Sequence, residues 1–306
     1  MNIYYSPDYV GAGYSFETTR KAKWVADSLE TSPIEGVQLV EPRPLSWDQV
    51  VQVHDPGYAR AVQTGEPRHL AESQGFVWDP GMWPMVLSSN GGAVAAALDA
   101  LGTGLSGSLS SGLHHARRGY GAGFCTFNGL VIAAREALAA GAQSVLIIDL
   151  DAHCGGGTAS LIVDDPRIWQ TDVAVNDFDR YDPDWYALPE ATGRISLQTV
   201  YRADEYLGEI ERSLQSVARA GPRFDLCLYN AGMDPFEGCS TGGLRGVTRE
   251  ILAARERLVF DWLRERGFAA AFVLAGGYLG PGLDSDGLVD LHRLTLEAAA
   301  GLPDQD

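Results

Sequence analysis

Short runs of consecutive apolar residues alternate along this chain with longer stretches in which apolar positions recur every three to four residues. The run Ser144 to Ile148 (SVLII) is continuous rather than alternating, as expected of a strand buried on both faces of a parallel sheet. Phe224 to Tyr229 and Ala270 to Leu274 repeat that signature. Helical patterns lie between and after them. Gly129 to Ala140 is rich in Ala, Leu and Ile, with Asn128 as its N-cap and Gly141 as its stop. Residues 204–220 read as a second helix. Thr248 caps a third, in which Ile251, Leu252, Leu258, Val259, Trp262 and Leu263 form one stripe and Gly267 ends the pattern. Residues 285–300 look helical again. This alternation predicts an α/β fold built from βαβ units. The first 85 residues or so lack the rhythm. Segments such as DPGYARAVQTGEP and WDPGMWPM are dense in Pro, Gly and aromatics and predict short helices mixed with long surface loops. No repeat, linker or shift of composition marks a boundary, so one domain over residues 1–306 is expected, with LPDQD as a frayed tail.

Composition narrows the class. Apolar residues make up 45% of the chain, ordinary for a soluble globular protein. The 36 glycines among 306 residues exceed the usual ~7% and predict many tight loops. A net charge of −17 repels phosphate backbones, which argues against a nucleic-acid partner and is compatible with a cationic substrate. No apolar run approaches the ~18 residues of a membrane span, and MNIYYSPDYV lacks the basic and apolar regions of a secretory signal. The four cysteines have no CxxC spacing and are too few for a disulfide framework. A reducing, cytoplasmic setting follows, and nothing in the pattern sets an oligomeric state.

Ligands of open α/β sheets bind beyond the carboxyl ends of the strands, so the residues after each predicted strand carry the chemistry. After the first come Asp149, Asp151 and His153, then three glycines. If the backbone stays extended, period two puts these three side chains on one side, a set suited to a divalent cation. The competing reading is a helix N-terminus decorated with capping carboxylates. After the second strand, Asp234 is placed to add a ligand, or to form an Asx-turn before Pro235. After the third, Tyr278 follows two glycines, where a phenol can donate to a developing oxyanion or serve as an aromatic lid. Upstream, the adjacent His114 and His115 precede a glycine-rich loop and suit general acid–base work.

Four blocks, HHA…GFCTFN, IIDLDAHCGGGT, YNAGMDPFEG and LAGGY, resemble in order and rough spacing the signature blocks of the histone deacetylase superfamily. YYSPDYV and VHDPGYARAV are a fainter N-terminal echo. The resemblance implies the arginase–deacetylase fold, a three-layer arrangement with a mostly parallel central sheet flanked by helices. It implies a catalytic zinc ion at Asp151, His153 and Asp234, with iron(II) or cobalt(II) as alternatives. It implies a structural potassium or sodium ion near Asp149, which also orients His114. His114 and His115 fall at the paired catalytic histidines, Tyr278 at the tyrosine that polarises the substrate carbonyl, and Phe124, preceded by Gly123, at the aromatic wall of the substrate tunnel. The expected substrate is an acylated amine, either acetyl-lysine or an acetylpolyamine, as in bacterial-type deacetylases and acetylpolyamine amidohydrolases.

One position departs. The family usually has a second His, a Gly and then Asp or Asn after the ligand His, whereas this chain reads His153-Cys154-Gly155-Gly156. Gly156 therefore predicts that His115 loses a partner and has a lowered pKa, unless another side chain substitutes. This keeps a second hypothesis open, a metal-binding protein with weak or no turnover. A binuclear manganese ureohydrolase is a further alternative, although the extra Asp and His ligands it requires are not evident. Cys154 reads as a small buried residue. The acidic and aromatic stretch Asn176 to Tyr186 is expected either to line the mouth and attract an ammonium group or to be a solvated loop.

Overall fold

The computed structural model describes residues 1–12, 17–182 and 193–301. Its sheet contains β1 (Asn2–Tyr4), β2 (Gln38–Val40), β3 (Leu105–Ser108), β4 (Val145–Asp149), β5 (Ile168–Ala174), β6 (Ile195–Thr199), β7 (Leu226–Ala231) and β8 (Ala269–Leu274). They are ordered β2-β1-β3-β8-β7-β4-β5-β6, and all of their pairings are parallel.

The continuous apolar runs are explained by two buried faces. Val145 and Ile147 of β4 join Leu226, Leu228, Ala271 and Val273 in a core with the helices Met82–Thr103 and Gly129–Ala139. Leu146 and Ile148 join Cys227, Tyr229, Ala270 and Phe272 in a second core, with the helices Ala203–Ala220, Arg249–Arg266 and Ser285–Ala300. Each such Leu or Ile is fully buried, which contributes about 1.5–3 kcal/mol relative to exposure. The result is the three-layer α/β sandwich expected.

The expected central strands and helices form, with edges moved by one or two residues. Asn128 caps its helix through a hydrogen bond from the Val131 N–H. Thr248 stands at an N-cap position, but its hydroxyl donates to Glu250 instead of capping the backbone. The N-terminal third holds more regular structure than expected. It contributes β1, β2 and the 15-residue helix Glu17–Thr31, and runs into the 22-residue helix Met82–Thr103. Strands of three residues are too short to show a period. The long helix hides because burial makes it apolar nearly all round, and Gly91-Gly92 reads as a breaker. A Cβ on Gly92 would lie 1.6 Å from the Tyr9 hydroxyl, so this glycine permits close packing. β5 was concealed by its buried polar centre, Gln170-Thr171-Asp172. The LPDQD tail lies outside the described residues. Among those residues, no helix is long and apolar enough to cross a membrane.

Candidate active site

The chain leaves β4 toward β5 and leaves β7 toward β8, so the carboxyl ends of β4 and β7 flank a topological switch point. Sheet register sets Asp149, the last residue of β4, beside Asn230 on β7 and Asp172 on β5. The loops after β3, β4, β5, β7 and β8 meet above this point.

Beyond Asp149 the chain leaves the sheet, and the period-two expectation ends there. Asp149 turns to His114, whereas Asp151 and His153 turn to Asp234. The last three are buried, with ligand atoms within 4.8 Å of one another, and are the one such group of metal-ligating side chains among the described residues. Backbone N–H groups aim the carboxylates. Gly276 and His153 donate to Asp151 at 2.8 and 3.0 Å, and Ala152 donates to Asp234 at 2.9 Å. His153 Nδ1 stands 3.0 Å from Asp151 Oδ1 and 3.1 Å from Asp234 Oδ2. Asp234 Oδ2 is buried and receives no well-aligned hydrogen bond. A Cβ on Gly276 would fall 2.2 Å from that oxygen, so the glycine keeps the space open.

The electrostatics match a cation site. Burial and the Asp151 charge push Asp234 up to about 6. Burial also opposes ionisation of Asp151, but His114 and His153 outweigh it and hold Asp151 well below the usual carboxylate range. Burial likewise opposes charge on His153, and hydrogen bonds to Asp151 and Asp234 lift it to about 10. Two buried carboxylates facing one imidazole nitrogen are relieved by a cation, and this donor set fits a divalent ion with coordination positions to spare.

The adjacent histidines reach the same pocket, with Nε2 atoms 3.1 Å apart. His114 Nδ1 is 2.8 Å from Asp149 Oδ2, and Asn230 donates to Asp149 Oδ1 at 2.8 Å. Burial opposes charge on His114, yet Asp149 and Asp151 lift it to about 10. The expected loss of a partner at His115 is not what the structure holds. His115 Nδ1 is 2.9 Å from Asp179 Oδ2, a residue on the segment after β5. His115 is nevertheless drawn down to about 4, by burial first and then by the charge of His114, against the pull of Asp179.

Gly123, Phe124 and Tyr278 line the pocket with both histidines. Gly123 and Phe124 both have positive φ, 49° and 65°. A Cβ on Gly123 would fall 2.3 Å from His115 Cδ2, so only glycine lets this loop approach the imidazole. Phe124 stacks on Phe76 at 5.3 Å and lies 6.4 Å from the Tyr278 ring. Tyr9, from the N-terminal echo, also lines the pocket.

The stretch from Asn176 divides its roles. Phe178 is half exposed at the mouth, edge-on to His115 at 5.1 Å and His153 at 5.7 Å. Asp177 faces solvent and pairs with Arg180 and Tyr201. Asp179 points inward, and the Tyr181 hydroxyl donates to the buried Asp172. The described part of the stretch carries something of both expectations, with Phe178 lining the mouth and Asp177 and Asp182 facing solvent, while Asp179 is engaged inside; residues 183–186 lie outside the described set. Cys154 is buried, its thiol pushed up by burial, in keeping with a packing residue.

Sequence reasoning did not single out Arg117, Asn230, Asp179 or Lys21. Asn230 was signalled by its place at the end of a buried strand. Lys21 is buried, donates to the Ala275 carbonyl under the Tyr278 loop, and burial lowers its pKa to about 8. No local pattern announced it.

Comparisons with known proteins converge on one group. The histone deacetylase domain matches residues 15–286. An uncharacterized protein of Picosynechococcus sp. is 33% identical over 287 residues, covering 90% of this chain and 91% of its own. Histone deacetylase 2 of Arabidopsis thaliana is 27% identical over 259 residues, 80% of this chain and 65% of that protein. The crystal structure of an acetylpolyamine aminohydrolase from Burkholderia pseudomallei superposes with a TM-score of 0.82 at 19% identity, covering 99% of each chain, and so shares the fold.

Proposed function

The chain belongs to the histone deacetylase family and is a hydrolase, and on that premise we propose that it removes acyl groups, acetyl above all, from acylated amines such as acetyl-lysine or an acetylpolyamine. The observation that carries this reading is the convergence of Asp151, His153 and Asp234 beside two buried histidines. Those three residues would hold one divalent cation, zinc in the first instance and iron(II) or cobalt(II) as alternatives. When bound, the ion supplies Lewis acidity, polarising an amide carbonyl and lowering the pKa of a water.

The side chains do the rest. His115 is held neutral by burial and by the neighbouring His114 charge, with Nδ1 committed to Asp179. Its Nε2, 3.1 Å from His114 Nε2, is the nitrogen that would take a proton from the attacking water and return it to the departing amine nitrogen. His114, anchored on Asp149, keeps its positive charge beside the reacting atoms. The Tyr278 phenol donates to the carbonyl oxygen as negative charge develops there. Phe124 and Phe178 wall the approach and exclude water. A monovalent cation near Asp149 would find an oxygen of Asp172 that is buried without a hydrogen bond. The net charge of −17 favours a cationic amine, and four free, buried cysteines accord with a cytoplasmic setting.

A non-catalytic binder was motivated by Gly156, and Asp179 beside His115 removes that motive. The test is turnover of metal-loaded protein on acetyl-lysine amides, longer acyl-lysine amides and acetylated polyamines. Hydrolysis of at least one series is expected. Bound metal with no turnover on any of them overturns the reading in favour of a binder.

A further inference from the structure

We propose that Asp179 is the positioning residue that fixes the tautomer and orientation of His115, and that a glycine at position 156 is what admits it. The inference rests on the deacylase reading above and assigns a residue to it.

Asp179 does not reach His115 by chance packing. Its side chain is 9% exposed, and its Oδ2 takes both the His115 Nδ1 contact at 2.9 Å and a hydrogen bond from the Gly157 N–H at 3.1 Å. Its Oδ1 receives the Arg117 guanidinium, which also donates to the Gly156 carbonyl at 2.9 Å. One arginine thus ties the carboxylate to the backbone of the loop after β4. The rest of the segment is fastened to that same loop. The Cys154 N–H donates to the Phe178 carbonyl at 3.0 Å, and the Asn176 side chain donates to the Ala152 carbonyl at 2.9 Å. Asp179 itself is held at φ +57°, a region that non-glycine residues rarely adopt and that persists where the surroundings over-determine it.

Gly156 completes the case. A Cβ there would lie 2.2 Å from the Asp179 carbonyl oxygen and 2.9 Å from its Oδ1. Any side chain at position 156 would push the segment off His115, so the two positions are coupled. The same segment carries Phe178 at the mouth. One short stretch therefore serves both the wall of the pocket and the partner of the proton-transfer histidine.

With Nδ1–H donated to a carboxylate, the lone pair of His115 is confined to Nε2. Without it, the two neutral tautomers compete and part of the population presents Nε2–H, which cannot accept a proton. The experiment pairs steady-state kinetics on an acetyl-lysine amide with ¹⁵N NMR of His115 in zinc-loaded protein. Asp179→Ala is expected to lower kcat ~10²-fold with KM nearly unchanged. Its His115 should shift from a single Nδ1–H tautomer to a mixture, and formate should restore part of kcat by entering the space beside Arg117. Asp179→Asn keeps an acceptor oxygen and should hold the tautomer with a smaller loss. Gly156→Ala, which leaves Asp179 in the sequence, should reproduce the tautomer mixture. An Asp179→Ala protein with wild-type kcat, or one that loses activity while His115 keeps a single Nδ1–H tautomer, overturns the proposal. If the wild type turns over no acyl amine, the deacylase reading fails, and the NMR comparison still decides the role of Asp179.

Discussion

Two histidines stand side by side at the carboxyl end of the sheet, each against a carboxylate, and the two carboxylates arrive by different routes. Asp149 is the last residue of β4, fully buried, and placed by the register that sets it opposite Asn230. It takes hydrogen bonds from Asn230 and the Asp151 N–H besides its contact with His114. Asp179 comes from a loop, at a positive φ, and is held by one guanidinium and one N–H. The first pair is part of the sheet, so a fault in it costs fold and chemistry together. The second is mounted on a loop, so a fault in it costs chemistry and leaves the fold largely intact.

The largest effect should come from breaking the sheet-borne pair. Asp149→Ala removes the main support of the His114 charge and leaves the buried Asn230 amide and Asp151 N–H without their acceptor, and should destabilise the protein by about 3–5 kcal/mol in urea unfolding as well as abolishing turnover. If its stability matches that of Asp179→Ala, the distinction between the pairs is wrong. Tyr278→Phe lies outside both pairs and should lower kcat by ~10²–10³ with metal content unchanged. Full activity in that variant would remove the oxyanion role from Tyr278.

A third histidine sharpens the comparison because it has no carboxylate at all. His54 Nδ1 lies 2.9 Å from the Arg117 carbonyl, and its Nε2 accepts the Asn128 N–H at 2.9 Å. Burial lowers its pKa to about 4 from an ordinary 6.5. As pH falls through 6.5 the unfolded chain gains a proton that the folded chain refuses until about pH 4. The stability His54 confers is therefore complete above pH 6.5 and lost as pH drops toward 4, by roughly 3 kcal/mol in all at about 1.4 per unit. Urea unfolding between pH 7 and 5 should show a slope of this sign in the wild type, to which the buried His115 and His292 contribute in the same sense, and His54→Gln should reduce it by about one proton's worth, ~1.4 kcal/mol per pH unit. An unchanged slope in the variant would show that other groups carry it. The smallest effect belongs to Arg117→Ala, which loosens Asp179 without removing it. A roughly 10-fold fall in kcat is expected, with Arg117→Lys intermediate. A fall as deep as that of Asp179→Ala would mean that Arg117 does more than hold the carboxylate.

The same contrast explains what was legible in the chain. Asp149, Asp151, His153, Asp234 and Tyr278 each follow a continuous apolar run, so strand ends announce them. The central strands and the helices that cover them are readable because burial on both faces writes a continuous pattern. Asp179 follows β5, whose buried Gln170-Thr171-Asp172 centre breaks that pattern, and it reaches His115 across 64 residues of sequence through a loop contact. Gly156 showed in the sequence that something was missing. Only the fold could show what replaces it, because the substitute sits on a different loop. The N-terminal strands were hidden by length, and the helix Met82–Thr103 by its burial and its paired glycines.

A single divalent cation held by Asp151, His153 and Asp234, within reach of both histidines, is the assignment on which the proposed function depends. Its most direct test is metal content after reconstitution, measured on the wild type and on Asp234→Ala. One divalent ion per wild-type chain, lost in the variant, is the predicted result. A wild type that takes up none, or a variant that retains a full equivalent, would contradict it.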